Sequence, residues 1–121
     1  MAMKKGILVD KSFEFAISVI NIYKYLAEDK KEYVMSKQLL RSGTAVGAII
    51  REAQNAESKA DFIHKLAIAQ KECDETIYWL ELLKATNYLT VEKFEKLFNE
   101  GNGLLKMLRS AILTSKQAHN S

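Results

Sequence analysis

Few residues in this chain are able to do chemistry, and their spacing limits what they can do. Asp61 precedes His64 by three positions, and Lys116 precedes His119 by the same interval. A two-metal site in a helical bundle needs Glu-x-x-His pairs from facing helices plus further carboxylates, and no such pair is present. Glu72 and Glu75 are the nearest approach to an acid–base pair. Three apart on one helix, they point the same way and do not flank a substrate. Cys73 lies on an apolar stripe without a neighbouring base, which suits a buried thiol. The glycines fall inside helical stretches, so none forms a phosphate-binding loop. The expectation is a protein that is not an enzyme and holds neither cofactor nor metal. What remains is charge. Lys37, Arg41 and Arg51 share a helix face, with the small Thr44 and Ala48 between the arginines. This face reads as solvated surface, as a pairing face between subunits, or as nucleic-acid contact. Basic groups over a small-residue floor suit a phosphate, so these three are the candidate nucleic-acid residues.

The elements that position these residues follow from apolar periodicity. From Leu39 to Leu66 the chain reads as a helical hairpin. Met35, Leu39, Val46, Ile50 and Ala53 fall on one side at helical spacing. Gly43 and Gly47 share a face beside that stripe. Each costs about 1 kcal/mol relative to alanine inside a helix, so the spacing predicts close approach of a neighbouring helix there. Ser58, with Asp61 three residues on, caps the second arm. Four helices are expected, at about 11–28, 33–56, 59–86 and 91–116, with Asp10 or Ser12 capping the first and Thr90 the last. Residues 1–9 read as a loose arm, and Thr114 to Ser121 as a fraying tail. Gly101-Asn102-Gly103 is a weak spot in a continuous last helix, since Leu97, Leu104 and Leu108 keep phase across it.

Two faces carry more apolar surface than one bundle requires. Helix one is apolar around more than half its circumference, leaving Glu14, Ser18, Asn21, Tyr25 and Glu28 as its solvent face. Helix three has a core stripe through Leu66, Cys73 and Leu80, and a second stripe of Ile68, Glu72, Glu75, Trp79 and Leu82. Carboxylates among large apolar groups need cations, which predicts that Arg41 or Arg51 pairs with Glu72 or Glu75, within the hairpin or between subunits. The expected oligomer interface therefore contains Phe15, Val19, Ile22, Gly43, Gly47, Ile68, Glu72, Glu75 and Trp79.

The whole chain sets the remaining bounds. Its 121 residues allow one domain, 1–121, and the absence of proline favours long helices over a turn-rich β fold. Eighteen Lys and Arg against 15 Asp and Glu leave a net charge of +3, too mild to announce a nucleic-acid binder unless the charges cluster. One cysteine allows no internal disulfide, in keeping with a reducing cytoplasm. Ile7-Leu8-Val9 is too short for a signal-peptide core, and no run is long enough to span a membrane.

From about Phe13 to about Lys116 the chain closely resembles the 23S rRNA intervening-sequence protein family. The resemblance is strongest at Arg41-Ser42-Gly43, Arg51-Glu52-Ala53, the run from Lys59 to Leu66 and Tyr78-Trp79-Leu80. Where the family usually has Asn before Ile-Arg-Glu, this chain has Ile49. The resemblance implies an all-α, antiparallel up-down four-helix bundle that assembles into a homopentameric ring. A related group comprises accessory proteins of diversity-generating retroelements, which bind a reverse transcriptase and nucleic acid. It thus implies a nucleic-acid or ribonucleoprotein accessory; the alternative is a scaffold that binds a partner protein without nucleic acid.

Overall fold

A computed structural model describes the backbone of residues 2–120 and the side chains of residues 6–118. It contains four helices and, among the described residues, no strand: α1 (Ala2–Glu28), α2 (Met35–Ala53), α3 (Lys59–Ala85) and α4 (Val91–Asn120). Each helix packs on its neighbours in the chain, and α1 also meets α4, which closes a square. Cross-helix partners run in opposite order. Arg41 meets Glu72 and Glu75 while Glu52 meets Lys65, which makes α2 and α3 antiparallel. Leu39, Val46 and Ile50 of α2 pack with Leu66, Cys73 and Leu80 of α3 in one buried core, completed by Phe15, Val19 and Leu26 of α1 and Leu97, Leu104 and Leu108 of α4.

Two helix starts follow local chemistry visible in the sequence. The Ser58 hydroxyl accepts the Asp61 N–H at 3.0 Å, and the Asp61 carboxylate accepts the Glu57 N–H at 3.2 Å. Thr90 Oγ1 accepts the Lys93 N–H at 3.2 Å. The start of α2 is a correction. It begins at Met35 rather than near 33, and Glu32 caps it by accepting the N–H groups of Val34, Met35 and Ser36 at 3.1, 2.9 and 2.7 Å. An anion there also complements the positive end of the helix dipole. At its other end α2 tightens into bonds three residues apart, from Gln54, Asn55 and Ala56, and so stops at Ala53 rather than 56. α3 closes on Asn87, whose φ of 67° lets the Tyr88 N–H reach back to the Leu83 carbonyl at 2.9 Å.

Both expected loose ends are helical. α1 begins at Ala2, because Leu8 is buried in the core and Val9 packs against it. Ser12 is therefore no cap: it lies inside the helix, its hydroxyl donating to the Val9 carbonyl at 3.1 Å. α4 continues through 114–120, and the outermost positions of both expectations, Met1 and Ser121, lie outside the described residues. The run Gly101-Asn102-Gly103 stays within α4. The polar face assigned to α1 holds for Glu14, Asn21 and Glu28, which are exposed, and is corrected for Ser18 and Tyr25. Ser18 donates to Glu100 Oε2 of α4 at 3.1 Å and Tyr25 lies under the Lys93 ammonium of α4, while Phe13 and Ile17 stand exposed.

Among the glycines, Gly43 is the one most tightly covered by a neighbouring helix. A Cβ placed there would lie 2.6 and 2.7 Å from the two methyls of Val19 on α1. At Gly47 it would meet Ser12 Oγ at 3.3 Å and the Ser12 carbonyl oxygen at 3.4 Å. On the α3 side of α2, the buried hydroxyls of Ser42 and Thr76 lie 2.9 Å apart. Small residues thus bring α2 close to both neighbours. Gly43→Ala is expected to cost about 1–3 kcal/mol through overpacking against a stiff β-branched side chain, and Val19→Ala in the same chain should return part of that loss. Gly103, with nothing near its would-be Cβ, is the contrast: Gly103→Ala should stabilise by up to about 1 kcal/mol. Urea unfolding of the three variants reads all of this, and a neutral Gly43→Ala would contradict the close approach.

Candidate functional site

Helix α2 carries the charges singled out above, and its packing separates them. Arg41 lies at the seam with α3. Its Nη1 donates to Glu72 Oε1 at 3.2 Å and its Nη2 donates to Glu75 Oε2. The same Glu75 oxygen accepts the Trp79 indole N–H at 3.0 Å. The expected acid–arginine pairing is thus made by Arg41, across the helical hairpin of one chain. On the second stripe of α3, Ile68, Glu72, Glu75 and Trp79 are all half-buried, the last three in or beside the Arg41 network. The Trp79 hydrogen bond, followed by Arg41, holds the Glu75 carboxyl below its ordinary value.

Arg51 makes neither of those contacts. Its guanidinium lies 5.7 Å from the centroid of the exposed Phe13 ring. Arg41 and Arg51 are ten residues apart, about 15 Å along the helix, so they do not act on one phosphate. Lys37 is exposed and has no ion pair among the described residues. The small-residue floor between the arginines does hold a depression. It is an apolar groove of about 410 Å³, formed by Val9, Phe13 and Ala16 of α1 with Thr44, Gly47 and Ala48 of α2, and Arg51 is the one charged residue in its lining.

Of the residues expected at an oligomer interface, Phe15 and Val19 are buried in the chain's own core, and Gly43 is covered by Val19. They have no surface to offer a second copy, which corrects that placement. Ile22 and Gly47 are half-buried. The acid–base and thiol candidates are equally accounted for. Glu72 and Glu75 converge on one arginine. Cys73 is buried, its thiol donating to the Gly101 carbonyl at 3.4 Å, and desolvation pushes that thiol up to about 12. Among the described residues no three of His, Cys, Asp and Glu come together as a metal site, and the His119 side chain lies outside them.

The basic face that sequence reasoning missed is on α4. Beyond Glu100 the chain contains no Asp or Glu, and Lys106, Arg109 and Lys116 are exposed, fall on one side of the helix and form no ion pair among the described residues. The signal was legible as an acid-free run.

The Arg41 network predicts a pH signature. Because the Glu75 pKa is lower folded than unfolded, its contribution is fully present above the unfolded value and fades as pH falls through the folded one. Glu75→Gln should flatten the acid limb of a stability–pH curve. Arg41→Ala should cost about 1 kcal/mol at neutral pH, because the guanidinium is half exposed. An unchanged acid limb in Glu75→Gln would remove the pair from the stability account.

Known proteins place this geometry. A crystal structure of a protein of unknown function from the S23 ribosomal protein family of Bacteroides thetaiotaomicron is 54% identical, with a TM-score of 0.88 over 90% of this chain and 97% of that one. No curated protein matches. The family model described as 23S rRNA-intervening sequence protein matches residues 4–110, nearly the whole of the four-helix core. This chain belongs to the 23S rRNA-intervening sequence protein family.

Proposed function

We propose that this protein is a non-enzymatic, cytoplasmic, homo-oligomeric accessory that binds the phosphate backbone of nucleic acid. The observation that carries this reading is the acid-free half of α4, where Lys106, Arg109 and Lys116 stand exposed and unpaired on one side of the helix. Uncompensated cations on a rigid helix displace counterions from a polyanion, and that release drives binding. Lys37 adds a fourth unpaired cation, whereas Arg41 is engaged by two carboxylates and is a structural residue in this reading. The family's description in terms of 23S rRNA intervening sequences favours RNA as the first ligand to test. A homopentameric ring, implied by the family resemblance, would repeat a modest patch around one particle, and phosphate contacts would then add. The buried high-pKa thiol and the arginine-bound carboxylates support a role without catalysis.

A second reading has its own observation. The apolar groove between α1 and α2 favours a scaffold that binds protein, and the retroelement accessory group implied by the sequence resemblance makes a reverse transcriptase the partner to try.

Binding to duplex RNA and DNA across a salt series separates the two. For backbone contact, log affinity falls linearly with log salt, and each of Lys106→Ala, Arg109→Ala and Lys116→Ala should shallow that slope by about 1. Arg41→Ala should leave the slope alone. Slopes unchanged by all three α4 variants would take this face out of the functional account, and no binding at low salt would leave the protein scaffold.

A further inference from the structure

The apolar groove between α1 and α2 is lined by Phe13, which is 54% exposed, and Ile17, one turn further along α1, is 46% exposed. Its depth comes from Ala16, Gly47 and Ala48, whose side chains leave room for a large group from outside. A wide exposed apolar strip of this kind, rimmed by one cation, marks an interaction surface. We propose that a second copy of this chain fills it, inserting Tyr78 of its α3 between α1 and α2 in a head-to-tail contact. The inference rests on the homo-oligomeric reading above and names the surfaces that would make the oligomer.

Charge selects the occupant. Arg51 is the one charged residue lining the groove. A two-fold contact, groove against groove, would bring Arg51 toward its own copy, so the matching surface lies elsewhere on the chain. The other large exposed apolar side chains are Ile7, Tyr33, Val34, Tyr78, Val91 and Leu113, and of these Ile7 lies on α1 itself, two residues before the groove's Val9. Leu113 stands between Arg109 and Lys116 on its helix face, and Tyr33 and Val34 follow Lys30 and Lys31; these cations would repel Arg51. Tyr78 is flanked by carboxylates, Asp74 one turn before it and Glu81 one turn after, both exposed and neither in an ion pair among the described residues. Val91, near Glu92 and Glu95, has the same sign of charge but a short side chain on the first residue of α4. Tyr78 lies in the middle of a long helix, 53% exposed, its ring held edge-on against Trp79 at 5.2 Å. A tyrosine also fits the chemistry: the ring fills an apolar slot while the hydroxyl reaches the polar rim. Groove and knob on different faces make a heterologous contact, the kind that closes into rings.

Sedimentation equilibrium tests the pairing, with circular-dichroism melts confirming that each variant is folded. Tyr78→Ser and Arg51→Glu should each weaken association by about ten-fold or more. Arg51→Glu combined with Asp74→Lys and Glu81→Lys should recover most of it, because the swap restores opposite charges across the contact. Arg51→Glu is a surface change, so it carries the test even if Tyr78→Ser unfolds. An oligomer unaffected by Arg51→Glu, or a charge swap no better than its parts, overturns the proposal and leaves the oligomeric reading standing. Dissociation by Val91→Asp with Arg51→Glu neutral assigns the contact to another surface. A wild-type chain that stays monomeric at every concentration overturns both.

Discussion

The missing side chain at Gly43 sets the geometry on which the rest of the bundle depends. Val19 occupies the space that any Cβ at Gly43 would need, so at this point α1 lies against the backbone of α2. One residue earlier, Ser42 turns toward Thr76 and draws α3 in on the other side. The helix that tolerates a glycine pair thereby becomes the one both neighbours pack against, and tertiary packing offsets the propensity cost. The same row of small residues continues outward through Thr44, Gly47 and Ala48. Inside the seam it closes the core; at the surface it leaves the groove.

Helical phase was the most legible feature of the sequence. Four helices, the hairpin joining α2 and α3, the Ser58 and Thr90 caps and the continuity of α4 through its glycines all follow from spacing and side-chain type. The failures have physical causes. Asp10 and Ser12 look like caps, yet a cap matters only where a helix starts, and burial of Leu8 carries α1 past them. Glu32 reads as part of a charged loop because glutamate is not among the preferred N-caps. It works here by turning a long carboxylate back onto three successive N–H groups from a buried position. The orientation of α1 was legible only in part, at Glu14, Asn21 and Glu28, for another reason. A helix apolar around most of its girth fixes no unique direction, and polar residues such as Ser18 find partners on a neighbouring helix instead of water.

The site residues divide along the same line. Arg41, Glu72, Glu75 and Trp79 were legible as a charged cluster in an apolar setting, and the structure joins them into one network. Their burial is partial, and one guanidinium is shared by two carboxylates, which ties α2 to α3 across the hairpin. Phe15 and Val19 were misplaced because surplus apolar surface on α1 was assigned to a partner before the core had been filled. Phe13 and Ile17 are the side chains that remain outside it.

Surfaces left over after folding carry the functional argument, and they lie on different helices. The groove belongs to α1 and α2, the acid-flanked tyrosine to α3, and the acid-free cations to α4. A head-to-tail contact through the first two of these surfaces leaves the exposed side of α4 unclaimed. In such an assembly Lys106, Arg109 and Lys116 recur once per subunit at a fixed interval. A patch too weak to hold a polyanion alone gains from that repetition, because one strand can meet several copies of it without paying again for encounter. The mild net charge of the chain is then no argument against nucleic acid, since the quantity that matters is the local excess on α4 multiplied by the number of subunits.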